Sequence, residues 1–485
     1  MAVQPSVGNQ GQAVARLYIG GEWRESPERA LTRDPFHKTP VTELHVASGA
    51  DVEDAVRAAV AAKPVMAGMP AHKRAQILRR AAEELMRRRG EVARSITAEN
   101  GKPAALAQRE VGRAAETLEF AADEAKRLAG EVIPMDSSSR GENKLGFTLR
   151  VPVGIVGAIT PFNSPLNLMA HKVGPALAGG NTVVLKPAPQ TPWCSVYLVE
   201  ALEAAGLPPG AINVVHGGPD VGEAIVTHPG VNLVTFTGGI RAGARIRNIA
   251  GMKKVLLELG GNAGNIVCAD ANLDRAAREM AANAFGYSGQ SCIAVQRIYV
   301  ERPVYEAFLE KLLQYTSRLR VGDPWLPETD IGPMISEEAA ERVEAWIKEA
   351  EQQGARILCG GKRDGALLEP TVLVDVRPEM KVVCEEVFGP VVSVVAVDSL
   401  EEAIAAVNDS QYGLQAGIFT ASLGKALQAV RSLEVGGVVV NGTSNFRLEQ
   451  MPYGGVKLSG IGKEGPRYAV EEMTVERMVI IDLAP

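Results

Sequence analysis

Residues 153–190 read VGIVGAITPFNSPLNLMAHKVGPALAGGNTVVLKPAPQ. Two apolar, β-branched runs each end in a proline-bearing turn, and an apolar stretch with helical spacing joins them. The alternation continues to Glu258. AINVVHG, VNLVTFTG and KKVLLELGG read as strands, while PWCSVYLVEALEAAGLPPG, VGEAIVTHPG and IRAGARIRNIAG read as helices. Continuously apolar strands joined by helices imply a parallel sheet covered on both faces, with ligands bound beyond the carboxyl ends of its strands.

Upstream, DVEDAVRAAVAAKPVMAG, the Arg-rich residues 72–99 and residues 104–128 have the apolar spacing of long amphipathic helices. Residues 133–150, IPMDSSSRGENKLGFTLR, place polar turn residues between apolar flanks, the pattern of a projecting hairpin. Downstream, NIVCAD, an Ala-rich helix to Phe285, RIYVE and a helix to Leu319 begin a second α/β unit. TVERMVIIDL near the C-terminus alternates like a strand with an edge to offer another chain. The chain has 485 residues, beyond the roughly 250–300 at which a single core stops growing, so two or three domains are expected.

Hydrophobic residues make up 46% and charged residues 22%, which is the balance of a soluble globular chain. The net charge of −6, with dispersed Lys and Arg, offers no basic field for nucleic acid. No apolar run reaches the roughly 18 residues of a membrane span, and the first fifteen residues lack a leader pattern, so a cytoplasmic location is expected. Five cysteines without a CxxC pair indicate neither a disulfide framework nor a zinc knuckle, and six scattered histidines give no helical ligand pair, so no metal is expected.

Four stretches could carry chemistry. Cys292 lies in GYSGQSCIAVQ, either a nucleophile in an open loop or an ordinary loop residue. Glu258 leaves an apolar strand into ELGGNAG, where desolvation would suit a general base, although most strand-end glutamates are merely solvated. Asn163 in ITPFNSP can donate to an oxyanion or simply close a turn. Lys186 in LKPAPQTP and the glycines of GGIRAG sit where a sheet of this kind meets ribose and phosphate, or at plain turns. A thiol, a carboxylate, an amide donor and a dinucleotide-type sheet together describe one cycle. The thiolate adds to an aldehyde, hydride leaves to nicotinamide, and a base activates water against the thioester.

From about Leu17 to the C-terminus the residues resemble the aldehyde dehydrogenase superfamily. PFNSP is similar to its PWN(F)P, LKPAPQTP to KP(S/A)E, FTGG to FTGS, ELGGN to ELGGK, GQSC to GQ(x)C, EEVFGPV to E(E/I)(I/V)FGPV, and PYGGVKLSGIGKEG to P(F/Y)GG(x)K(x)SG(x)GRE. The thirty-four positions between Glu258 and Cys292 also match. The resemblance implies two Rossmann-type parallel-sheet domains plus a small β oligomerisation region. Their expected boundaries are residues 16–131 with 153–257 for the dinucleotide, 258–452 for catalysis, and 132–152 with 467–485 for assembly into a homodimer or homotetramer. It also implies Cys292 as nucleophile, Asn163 with the Cys292 N–H as oxyanion hole, Glu258 as base, and Lys172 and Glu464 positioning or relaying its proton. Thr160, Pro161, Phe162, Lys186, Pro189, Gly238, Gly239, Glu386 and Phe388 would contact the dinucleotide.

Pro189 stands where many NAD-preferring members have a glutamate, so a 2′-phosphate meets less repulsion and either NAD or NADP is expected. Gly239 replaces the common serine and Phe162 the common tryptophan. Ser164, Asn167 and His171 occupy positions where members acting on apolar aldehydes carry bulky groups. With Arg109, Arg113 and Arg447 they suggest a small hydroxylated or anionic-tailed aldehyde, in the manner of lactaldehyde dehydrogenase-like members. The competing readings are a coenzyme A-acylating dehydrogenase, which has no need of Glu258, and a non-catalytic protein that keeps the fold, in which the nucleophile or base would be expected to be lost.

Overall fold

The strands read between residues 153 and 258 are Ile155–Ile159, Thr182–Lys186, Ile212–Val214, Leu233–Thr237 and Lys254–Glu258. They pair in parallel, with Ile155–Ile159 between Leu233–Thr237 and Thr182–Lys186, so the chain builds outward on one side of it and then on the other. This reversal puts Thr160, Lys186, Thr237 and Glu258 near one edge, where a crevice opens in sheets of this type. The computed structural model describes residues 13–484. Residues 1–12, which belong to the stretch without a leader pattern, and Pro485, the last residue expected in the assembly region, lie outside the described residues.

Two antiparallel additions complete this sheet. Leu17–Ile19 and Glu22–Arg24 extend one edge, and Gly460–Ile461 pairs with Lys254–Glu258 at the other. The second addition draws the PYGGVKLSGIGKEG stretch back across the molecule, with Gly460 opposite Glu258. The helix Pro165–Ala178 is buried along its whole length, so its polar side chains Asn167, His171 and Lys172 must find partners inside the protein. The Arg-rich segment divides into Ala71–Arg87 and Arg89–Asn100, breaking at Arg88 just before Gly90.

The second sheet runs in the order Arg356–Cys359, Thr371–Val374, Val391–Val397, Arg297–Glu301, Gly264–Val267, Gln415–Phe419 and Gly437–Val440, parallel apart from its first strand. The hairpin expected at residues 133–150 is Val132–Ile133 paired with Lys144–Pro152 across two short 3-10 turns. Thr474–Asp482 pairs with the same chain's Lys144–Pro152 over nine positions and takes no strand on its other edge among the described residues. Among the described residues no helix is long and apolar enough to cross a membrane.

Candidate active site

Cys292 follows three consecutive residues in the left-handed region, Tyr287 (φ 51°), Ser288 (φ 55°) and Gly289 (φ 67°). Such backbone costs a non-glycine residue roughly 1–2 kcal/mol and persists only where contacts over-determine it. Here Ser288 Oγ donates to the Gly332 carbonyl at 2.6 Å, and a Cβ on Gly289 would stand 2.1 Å from the Gly389 oxygen. The Glu258 loop crosses close by, since a Cβ on Gly261 would lie 2.1 Å from the Cys292 carbonyl oxygen. This approach explains the second glycine of ELGGN.

The half-buried Cys292 has its Sγ 3.0 Å from the Tyr453 hydroxyl. Burial pushes the thiol up to about 12; the Tyr453 hydrogen bond and the Arg447 charge oppose the shift, and the Glu386 and Glu258 carboxylates add to it. The resting sulfur is therefore a thiol, and a base must take its proton.

Two buried carboxylates stand near each other behind the sulfur. Glu464 accepts from Lys172 Nζ at 2.8 Å, Arg447 Nη2 at 3.1 Å and Thr237 Oγ1 at 3.3 Å. Burial would raise Glu464, but the Lys172, Arg447 and His171 charges outweigh it and hold the carboxyl at about 2. Glu258 Oε2 is buried and makes no hydrogen bond among the described residues. Burial first, and the Glu464 charge second, raise Glu258 well above the usual carboxylate range. One carboxylate is fixed as an anion and the other is poised to take up a proton.

Asn163 Nδ2 donates to the Gln290 carbonyl at 3.0 Å, two residues before Cys292. Beneath it lies a pair of residues that the sequence reading passed over. Lys102 Nζ, ion-paired with Glu110, donates to the Asn163 carbonyl at 2.6 Å and lies 4.5 Å from the Tyr287 ring centroid. Glu110 Oε1 in turn accepts the Leu166 N–H at 3.0 Å, at the start of the buried helix. Lys102 and Glu110 are only 5% and 3% exposed, so this ion pair joins the amide-donor loop to the nucleophile loop from inside.

The residues expected at the dinucleotide lie at or just after strand ends of the first sheet, except Glu386 and Phe388, which lie in the loop before Val391–Val397. Lys186 Nζ, 6% exposed, donates to the Gly217 carbonyl at 2.8 Å, and burial lowers the amine to about 8 against the opposing charge of Asp220. Thr160 Oγ1 is buried without a hydrogen-bond partner among the described residues. Gly239, which starts the helix Ile240–Ile249 without a side-chain cap, has open space where a Cβ would be, whereas a Cβ on Gly238 would stand 2.4 Å from the Phe236 ring. Glu386 Oε1 accepts the Gly261 N–H at 3.0 Å, and burial raises its carboxyl to about 7. Phe162 and Phe388 meet edge to face at 6.0 Å, with Phe388 in the left-handed region at φ 48°. Pro161 and Pro189 are half-buried in their turns. An uncapped helix start, an unpartnered hydroxyl and a buried amine suit a ligand with phosphate oxygens and ribose hydroxyls.

The expected substrate residues do not all face one space. Asn167 and His171, 1% and 0% exposed, are wall residues bound to the buried Glu449, at 3.2 Å and 2.6 Å. Arg113 Nε binds the same carboxylate at 2.5 Å. These side chains latch the 443–452 segment to two helices, a role that required knowing where Glu449 folds. Arg109 is exposed. Arg447 lies against the partner of the nucleophile, with its guanidinium 3.8 Å from the Tyr453 ring centroid, and its Nε is buried without a partner among the described residues. Tyr453 was legible only as part of the PYGG motif, because nothing in its spacing points to Cys292.

The profile of the aldehyde dehydrogenase family matches residues 23–479. The chain is 49% identical to 3-sulfolactaldehyde dehydrogenase of Priestia aryabhattai over 468 residues, 96% of this chain and 98% of that one. It is 38% identical to a lactaldehyde dehydrogenase of Methanococcus maripaludis, over 96% of this chain and 99% of that one. Among solved structures, the NADP-dependent glyceraldehyde-3-phosphate dehydrogenase of Bacillus halodurans complexed with NADP superposes with a TM-score of 0.95 at 40% identity, over 98% of this chain and all of that one.

Proposed function

This chain belongs to the aldehyde dehydrogenase family, and from that premise we propose that it oxidises a short aldehyde with a hydroxylated or anionic tail to the carboxylic acid, using NAD or NADP. The buried, unpartnered Nε of Arg447 beside the nucleophile carries the substrate reading. An unpaired buried donor on a cation is costly unless a ligand satisfies it, and a substrate hydroxyl or anion is the natural acceptor. Sulfolactaldehyde, lactaldehyde and glyceraldehyde 3-phosphate, the substrates in the relatives' names, all carry such tails.

Cys292 Sγ adds to the carbonyl carbon as its proton leaves for the carboxylate side of the pocket. Asn163 Nδ2 turns from the Gln290 carbonyl to the developing oxyanion, joined by the Cys292 backbone N–H. A dinucleotide held at these residues would supply the hydride acceptor, and loss of hydride from the adduct carbon leaves a thioester on Cys292. Glu258 then takes a proton from the water that attacks this thioester. Glu464, held as an anion by Lys172, keeps the proton affinity of Glu258 high and offers the proton a way out.

Lys186, with Thr160, Pro161 and Pro189, would hold the adenosine end of the dinucleotide. Gly238 and Gly239 would approach the pyrophosphate. Glu386, Phe162 and Phe388 would frame the nicotinamide end. In this scheme residues 16–131 and 153–257 bind the dinucleotide, 258–452 carry the chemistry, and 132–152 with 467–485 assemble the oligomer. The free edge along Thr474–Asp482, with Ile480 56% exposed, and the edge strand Gly437–Val440, with Val440 41% exposed, support a homodimer or homotetramer built by strand addition. A cytoplasmic setting agrees with five free cysteines.

A panel of short aldehydes with sulfonate, phosphonate, carboxylate, hydroxyl and methyl ends, assayed with each dinucleotide, tests the substrate class. The anionic and hydroxylated members should exceed the methyl-ended one in kcat/KM by at least about tenfold, the worth of one good charge-assisted hydrogen bond. A preference for the apolar aldehyde would overturn the reading.

A further inference from the structure

Tyr453 is 3% exposed, and among the described residues its hydroxyl has one hydrogen-bond partner, Cys292 Sγ at 3.0 Å. Its ring packs with Ile293 and Leu414 against the cysteine, and the guanidinium of Arg447 lies 3.8 Å from the ring centroid. We propose that Tyr453 is a catalytic residue, donating its O–H to the Cys292 sulfur as that sulfur loses its proton and attacks the aldehyde.

The inference rests on Cys292 being the nucleophile, and it assigns the sulfur a partner of its own. A neutral thiol is a weak hydrogen-bond acceptor, whereas a thiolate is a strong one. The contact therefore strengthens as negative charge develops on sulfur, the property that lets an interaction lower a barrier rather than merely fill space. Among the charged groups that act most strongly on the sulfur, Glu386 and Glu258 oppose thiolate formation and Arg447 favours it. Arg447 is shared with Glu464 at 3.1 Å, so part of its charge is already answered there. Its position over the ring face also draws electron density from the phenol and makes the O–H a better donor.

The proton balance is simple. The S–H proton goes to the carboxylate side of the pocket, the S–C bond forms as the carbonyl π pair moves to oxygen, and Tyr453 keeps its own hydrogen throughout. It is not a second base. It also accounts for a strained loop that aims one sulfur at one hydroxyl.

Tyr453→Phe deletes one oxygen and keeps the ring on which Arg447 lies. The test is the pH dependence of iodoacetamide alkylation, read on the Cys292 peptide by mass spectrometry, with dinucleotide binding and thermal midpoint measured alongside. The profile should move up by about one pH unit, and both alkylation at neutral pH and kcat/KM should fall about tenfold, with binding unchanged. Replacing Tyr453 by 3-fluorotyrosine, a more acidic phenol of nearly equal size, should move the profile the other way, and it keeps the test available if the Phe variant folds poorly. An unmoved profile in either variant would overturn the proposal. Alkylation of Cys292 that leaves turnover intact would instead remove the nucleophile assignment, and this proposal with it, so the two failures are distinguishable.

Discussion

Glu258 and Glu464 stand in one buried space and divide it unequally. Glu464 accepts hydrogen bonds from Lys172, Arg447 and Thr237, while Glu258 Oε2 has none among the described residues. The charge of the first raises the proton affinity of the second.

Rate should therefore depend on pH through Glu258. Only its carboxylate form can take a proton from water, so kcat rises with pH along an acid limb. Glu464→Gln removes the like charge and leaves Lys172 and Arg447, both of which pull Glu258 down. The limb should move to lower pH in that variant, measured by steady-state kcat across pH. A limb that stays in place or climbs would contradict the asymmetry.

Lys172 is fully buried against Glu464, and removing one member of such a pair costs about 3–5 kcal/mol because the other charge is stranded. Lys172→Met should show that loss in urea unfolding near neutral pH. Glu464 is depressed from 4.5 to about 2, so its contribution is full above about 4.5 and fades as pH falls toward 2. The deficit of the variant should shrink in acid. A deficit that grew as pH fell would show that the pair is not what Lys172 stabilises.

Lys102 predicts an effect on rate from a residue that touches no substrate. With the ion pair to Glu110 lost, the loops bearing Asn163 and Tyr287 are no longer tied together. Misplacement of about 1 Å can cost on the order of a hundredfold in rate. Lys102→Met should lower kcat by about ten- to a hundredfold with little change in dinucleotide KM. The double variant Lys102→Met/Glu110→Leu should recover stability, since no charge is stranded, but not rate. Recovery of rate in the double variant would sink the positioning role.

Coenzyme choice should turn on Pro189. Pro189→Glu would place a carboxylate beside the expected ribose site, where like charges a few Å apart repel by several kcal/mol at intermediate dielectric. The kcat/KM for NADP should fall at least about tenfold while that for NAD holds. Equal losses with both would show that the residue does not face the 2′ position.

The sequence disclosed the parallel core because burial on both faces leaves continuous apolar strands, as in NTVVLKP and VNLVTFTG. It also placed the candidate nucleophile, base and amide donor, since each lies in a short motif at a strand end or loop. The antiparallel edges were hidden. Gly460–Ile461 is two residues long, too short for periodicity, yet it brings Glu464 to Glu258. Asn167, His171 and Arg113 looked like substrate groups because the buried acceptor that satisfies them, Glu449, lies 278 positions beyond His171. Lys102, 61 positions before Asn163, read as an ordinary loop lysine for the same reason. Long-range polar pairing leaves no local signature.

Acyl transfer through Cys292 is the claim on which the account depends, and rapid quenching of the Glu258→Gln enzyme tests it most directly. With aldehyde and dinucleotide, this variant should give a slowed but stoichiometric burst of reduced dinucleotide, since each site has to lose its thiol proton only once and can lose it to water, and then stall. Intact-protein mass should rise by the acyl group, which peptide mapping should place on Cys292. Acyl on any other residue, or a burst of the same size from Cys292→Ala, would contradict it.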